Sequence, residues 1–311
     1  MYNFSATPQL VKDIKLPSNK VNGDNLNDFL RKLALMRNLH EIGLDDLTVN
    51  YSDVSFEQVS EIVRRYGVIC ILNAIPPEVA KSVSVVIENL CQQISQESSN
   101  SDKPFGEIRN GVWQKENVYA NNMHDFCNYP RPIVNVRGSF GIDGNMFDMF
   151  NIDKMAGLNS HLFQQCLKTL KLPMVQAAVE NNSGYRFSTS QVYRNHSVTN
   201  TRGYHIDNLC HTFKSFLYLT DVNNNKQGPY SYIPASNHLP YVHRLELRLT
   251  EKVGAKARDI WSSRYLSPVN FLAPAGSLIL SDQSGIHRGI PQVDGELRVA
   301  MVGNFNRHRL Q

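Results

Sequence analysis

Gly203-Tyr204-His205-Ile206-Asp207-Asn208 is the stretch around which the rest of the chain can be read. On an extended strand, residues i and i+2 point the same way, so His205 and Asp207 can both reach one metal ion. Alone the pair says little. With ten histidines in the chain, about half a His-x-Asp match arises by chance, and a satisfied polar pair in a turn is the plainer reading.

The downstream sequence changes that balance. Gly276-Ser277-Leu278-Ile279-Leu280-Ser281-Asp282 reads as a strand and is followed by Gly285-Ile286-His287-Arg288-Gly289. Another strand begins at Leu297-Arg298-Val299-Ala300-Met301-Val302. Two imidazoles and one carboxylate make a facial triad, which leaves three positions open on Fe(II) for a chelating co-substrate and dioxygen. Arg298, at the start of the last strand, offers a guanidinium fork that fits a carboxylate.

Outward from this segment the texture is β. Short apolar or alternating runs at 186–193, 213–220, 230–233, 277–281 and 299–305 are separated by Asn/Gly/Pro-rich turns such as 222–229. The N-terminal part is helical in pattern. Asp24 caps a run with Leu26, Phe29, Leu30, Leu33 and Met36 on one face. A short β-like run at 67–72 precedes a helix opened by Pro76-Pro77-Glu78, and 95–106 reads as an exposed loop. A third helical region spans 160–178 with a kink at Pro173. The charged stretch 243–264 reads as a helical insertion. Helices first and strands second predict an α+β protein, helices buttressing a β-sandwich or barrel. The 311 residues read as a single domain: a helical extension (1–64), helices and outer strands (65–180), and a β core with the metal site (181–307).

Composition excludes several classes of function. Hydrophobic residues are 41% and charged residues 19%, which is globular rather than disordered. No apolar run approaches the ~18 residues of a membrane span, and the N-terminus lacks a secretory layout, so a cytoplasmic protein without membrane partners is expected. The net charge is +4 with scattered Lys and Arg, giving no nucleic-acid stripe. Five widely spaced cysteines without a CxxC pair argue for reduced, buried thiols.

With these residues in place, the sequence resembles the phytanoyl-CoA dioxygenase type of Fe(II)/2-oxoglutarate-dependent oxygenases. The likeness rests on Tyr204-His205-Ile206-Asp207, on the 228–238 segment with Pro234-Ala235-Ser236-Asn237-His238, on 275–280 followed by His287-Arg288-Gly289, and on Arg298. It covers about residues 64 to 305, and Tyr66-Gly67-Val68-Ile69 followed by Pro77-Glu78 fits its opening strand and helix. Ala235, where the family usually has Gly, and Asn237 before His238 depart from the pattern.

The resemblance implies a double-stranded β-helix, or jelly roll, with iron at one open end. It implies that His205, Asp207 and His287 are catalytic ligands of Fe(II), that Arg298 anchors the distal carboxylate of 2-oxoglutarate, and that Gln191 contacts co-substrate or substrate. A dioxygenase reaction would convert 2-oxoglutarate and dioxygen to succinate and carbon dioxide while oxidising an unactivated C–H bond of a small molecule. The retained carboxylate of Asp207 disfavours halogenation. Hydroxylation, desaturation and ring closure stay open. The expected substrate is a carboxylated or amino-acid-derived secondary metabolite, with Arg137 and Arg202 as candidate anion contacts. The competing readings are a jelly-roll metal-binding protein that does not use 2-oxoglutarate and a catalytically inactive binding module. Oligomeric state is not legible.

Overall fold

Two long strands dominate the molecule, β7 (Arg186–His196) and β13 (Leu297–Asn306), which run antiparallel with Arg298 opposite Asn195 and Val302 opposite Gln191. The computed structural model describes residues 42–98, 105–109, 112–115, 132–137, 141–154, 161–207, 211–239, 263 and 266–306. The expected helix at 24–36 and the insertion at 243–264 lie outside them.

The fold is mixed α/β around a large, mostly antiparallel sheet. Its other strands are β1 (Thr48–Asn50), β2 (Val68–Leu72), β3 (Phe105–Arg109), β4 (Val112–Lys115), β5 (Ile133–Val136), β6 (Met146–Phe150), β8 (Phe213–Tyr218) and β11 (Leu278–Asp282). They are ordered β1-β2-β11-β8-β13-β7-β6-β5-β3-β4. A second sheet holds β9 (Tyr230–Tyr232) between β10 (Val269–Phe271) and β12 (His287–Gly289).

Alternation along each central strand explains why these runs look apolar throughout. Val299 and Met301 of β13, Leu217 of β8, Leu278 and Leu280 of β11 and Ile69 and Ile71 of β2 enter one core with the helices. The residues between them, Ala300, Val302, Phe216, Tyr218, Ile279, Val68 and Cys70, enter a second core with Tyr230, Tyr232, Val269 and Phe271 of the small sheet. A strand buried on both faces has no polar side to show. The small sheet therefore packs on the face of the large sheet opposite the helices, and the candidate ligands lie on that inner side.

The helices are α1 (Phe56–Tyr66), α2 (Pro77–Ser98), α3 (His161–Thr169) and α4 (Pro173–Ser183). Ser55 and Gln58 form a capping box at the start of α1, and Gly67 ends it at φ 75°. Arg194, on the helix side of β7, makes two 2.8 Å hydrogen bonds to Glu88 and so ties α2 to the sheet. No helix of the described residues is long and apolar enough to cross a membrane. Cys70, Cys91 and Cys166 are buried free thiols, each pushed up to about 12 by desolvation. Cys127 and Cys210 lie outside the described residues.

Three local expectations are corrected. Pro173 does not kink one helix; it opens α4 at a first-turn position, where its missing N–H costs nothing. The expected loop at 95–106 is shorter, because α2 continues to Ser98 and β3 begins at Phe105. Ser95, inside α2, satisfies its hydroxyl by donating to the Cys91 carbonyl at 2.9 Å. The 1–64 segment also contains β1, parallel to β2, a three-residue strand too short for any periodicity.

Ala235 and Gly276 are among the turn positions with positive φ. Ala235 sits at φ 61°, in the left-handed region where the resembled family has Gly. Gly276 sits at φ +86°, and a Cβ there would run into the Ile75 carbonyl. Gly276→Ala is expected to lower the unfolding free energy by about 2–4 kcal/mol, from the conformational penalty plus backbone displacement. Urea denaturation checks this; a loss below about 0.5 kcal/mol would show that the turn is pliable.

Candidate metal centre

His205 and His287 are held together by backbone before any ligand arrives. The two residues form an isolated antiparallel bridge, His205 N to His287 O at 3.0 Å and His287 N to His205 O at 2.9 Å. Asp207 is stitched to the same turn, its N–H donating to Gln283 O at 3.0 Å. The three side chains consequently converge, with one ligand atom from each lying within 4.8 Å of the others.

Each imidazole is oriented in the same way. His205 Nδ1 lies 2.7 Å from Gly203 O and His287 Nδ1 lies 2.9 Å from Gly285 O. A carbonyl only accepts, so both Nδ1 atoms donate and both Nε2 atoms present lone pairs. Asp207 Oδ1 stands 3.5 Å from one Nε2 and 3.9 Å from the other. Three electron-rich atoms facing one another repel unless a cation lies between them. This donor set, two nitrogens and one oxygen on one side, fits a divalent transition metal with open positions.

Lys214 on β8, which no sequence motif marks, completes the arrangement. Its ammonium lies 2.6 Å from Asp207 Oδ2, so the carboxylate turns Oδ1 toward the imidazoles. Burial alone would raise the Asp207 carboxyl, but the charge of Lys214 holds it well below the usual carboxylate range. Burial and the adjacent His205 ring push His287 down to about 3. Tyr230, whose ring centroid is 5.8 Å from that of His287 and which stacks on Phe216 at 4.7 Å, walls the imidazole from behind.

Arg298 is 8% exposed, and burial pushes its pKa down. One terminal nitrogen donates to Gly228 O, its Nε has no partner, and no carboxylate of a described residue forms an ion pair with it. A buried, unpaired guanidinium is costly and calls for an anion. Gln191 lies buried on the inner face of β7, opposite Phe150 and Val302.

The two expected anion contacts are engaged elsewhere. Arg137 bonds Asp148 Oδ2 at 2.8 Å and Asp143 Oδ2 at 3.0 Å. Arg202 is half exposed and pairs with Asp143 at 3.4 Å. These pairings arise from strand register and turn geometry, to which local sequence is blind.

Asp282, behind the cluster, is a hydrogen-bonding hub. It is 1% exposed and accepts from His211 Nδ1 at 2.5 Å, Ser284 N at 3.0 Å, Ser284 Oγ at 2.8 Å and Asn237 Nδ2 at 3.3 Å. His238 braces the end of α1 through the Arg64 and Arg65 carbonyls. The hydrogen bond to Asp282 raises the His211 pKa above its ordinary 6.5, against an opposing burial effect. That contribution is full below about pH 6.5 and fades as pH rises through the elevated value. His211→Ala should therefore cost more stability at about pH 6 than at about pH 9, by under about 1 kcal/mol for so exposed a ring. Equal losses at both pH values in chemical denaturation would exclude the charged pair.

No protein-family model matches the sequence, and no curated protein does. Similar solved structures include AviO1 from Streptomyces viridochromogenes Tue57, at 12% identity and TM-score 0.50, over 82% of this chain and 96% of that one. SnoK, a non-heme alpha ketoglutarate dependent carbocyclase from nogalamycin biosynthesis, is 14% identical with TM-score 0.48, over 83% and 86% of the two chains. HygX from Streptomyces hygroscopicus, with nickel and 2-oxoglutarate bound, is 12% identical with TM-score 0.47, over 82% and 88%. The likeness to AviO1 speaks to the fold. Fold and side chains together define a two-sheet protein with a candidate 2-His-1-carboxylate centre, and the chemistry rests on the residues themselves.

Proposed function

We propose that the chain is a non-haem Fe(II)/2-oxoglutarate-dependent oxygenase built as one domain on a double-stranded β-helix, acting on a small molecule. The observation that carries this reading is the pairing of a three-ligand cluster of lone pairs with a buried, unpaired Arg298. A metal alone would answer the cluster but leave the guanidinium unmatched; a 2-oxo diacid answers both.

His205, Asp207 and His287 would hold the iron, and Arg298 the distal carboxylate of 2-oxoglutarate. Bound iron, with 2-oxoglutarate and dioxygen, supplies oxidation of an unactivated C–H bond. The protein's part is orientation. Gly203 O and Gly285 O fix which imidazole nitrogen faces the metal, Lys214 fixes which oxygen of Asp207 does, and Tyr230 and Phe216 keep that side dry. Gln191, Tyr193 and Asn195 share the inner face of β7 and would border the reacting molecules.

Anaerobic addition of Fe(II) and then 2-oxoglutarate should produce the visible charge-transfer band of the chelate, and aerobic incubation should release succinate. A protein that binds iron but shows neither would be a metal-binding module instead.

A further inference from the structure

We propose that the wall made by β6 and β7 beside this centre binds hydrogen-bond donors of the substrate, hydroxyl or amino groups, through Asp148 and Asn195, and does not select a carboxylate. The proposal rests on the oxygenase reading of the site and narrows its substrate class, replacing the expected contacts at Arg137 and Arg202.

Register places the wall. Asp148 lies opposite Tyr193, which lies opposite Ala300; Asn195 lies opposite Arg298. Directly paired residues share a sheet face, so Asp148, Tyr193 and Asn195 stand on the inner side, with Arg298 and the second core. Tyr193 also links the wall to the cluster, because its phenol feels the charges of Lys214, Asp148 and Asp207 together.

The wall's cations are already matched. The Arg137 fork is taken up by Asp143 and Asp148, and Arg202 leans on Asp143. What is left over is acceptor capacity. Asp148 Oδ1 and Asn195 Oδ1 are buried and have no hydrogen-bond partner, in residues only 3% and 5% exposed. Burial raises the Asp148 carboxyl, and Arg137 opposes that rise. Two orphaned acceptors on adjacent strands, on the face that carries Arg298, are the imprint of a ligand that donates. An incoming carboxylate would be repelled by the Asp148 oxygen.

The experiment uses the full chain loaded with Ni(II) and 2-oxoglutarate, so that nothing turns over. The probes are three cyclohexane rings carrying, on alternate carbons, two cis hydroxyls, two cis amino groups or two cis carboxylates. Binding is read by calorimetry or ligand-observed NMR. The diol or the diamine should saturate, at least about tenfold tighter than the dicarboxylate; which of the two is tighter tells a neutral from a charged donor group.

Asp148→Asn sharpens the test. Arg137 needs an acceptor, so the new amide keeps its oxygen toward Arg137 and puts its NH2 where Oδ1 was. The preference should invert, the donor rings losing about tenfold and the dicarboxylate gaining. Should that variant fail to fold, Asn195→Ala must show the loss for the donor rings. The proposal is overturned if the dicarboxylate binds the native wall as tightly as the donor rings, if Asp148→Asn keeps the native ranking, if Asn195→Ala binds the donor rings as tightly as the native chain does, or if no ring saturates below about 50 mM. Failure of 2-oxoglutarate to bind at the loading step would instead overturn the oxygenase reading.

Discussion

His205→Ala is expected to weaken binding of a divalent metal such as Mn(II) or Ni(II) by at least about a hundredfold, while leaving the metal-free protein as stable as before. The first half follows from coordination: one of the three converging donors is lost, and the remaining Nε2 and Oδ1 atoms, 3.9 Å apart, form only half a cradle. The second half follows from how the site is built. His205 is fixed to His287 through its backbone, which alanine keeps, and removing one of three mutually repelling donors relieves the empty cluster. An ordinary polar turn behaves in the opposite way, losing stability and having no metal affinity to lose. Equilibrium dialysis beside chemical denaturation separates the two. Retained affinity would move the metal centre elsewhere.

Arg298→Met is expected to reduce the affinity of the metal-loaded protein for 2-oxoglutarate by about a hundredfold or more, with metal affinity unchanged. A buried, charge-assisted contact to a carboxylate is typically worth about 3 kcal/mol when one partner is removed. The ligand-free stability should hold or rise, because methionine fills similar volume and takes an unpaired charge out of the interior. A structural guanidinium would show the reverse, several kcal/mol of lost stability with co-substrate binding intact. Calorimetric titration and thermal unfolding of the same variant decide between them.

Much of the fold was legible for a simple reason. Strands 186–193, 213–220, 230–233, 277–281 and 299–305 all appear, with ends moved by a few residues, because runs buried on both faces and bounded by turn residues have few alternatives. β1, β3, β4, β6, β10 and β12 were not read from the sequence. They are short, and β6 reads Met146-Phe147-Asp148-Met149-Phe150, an apolar run broken by the acid that register later turns inward. His-x-Asp, His287 and Arg298 could be found since each lies in or beside a strand whose local period aims it.

Lys214 and Asp148 could not be found in that way. Lys214 reads as the polar residue after Phe213, and only the packing of β8 brings its ammonium within 2.6 Å of Asp207. Arg137 and Arg202 look alike in sequence as free cations, yet both are held by carboxylates brought up by β6 and by the turn at Asp143. His211 reaches Asp282 across 71 positions of chain.

The amino-acid order by itself therefore determined the apolar strands, the helix opened by Pro76-Pro77-Glu78 and the residue types able to hold a metal and an anion, since these depend on neighbours two to four positions apart. Which charges are spent on one another and which are left for a ligand was decided only by the tertiary structure. Pairing energy depends on distance in space, and strand register is what converts remote positions into contacts of about 3 Å.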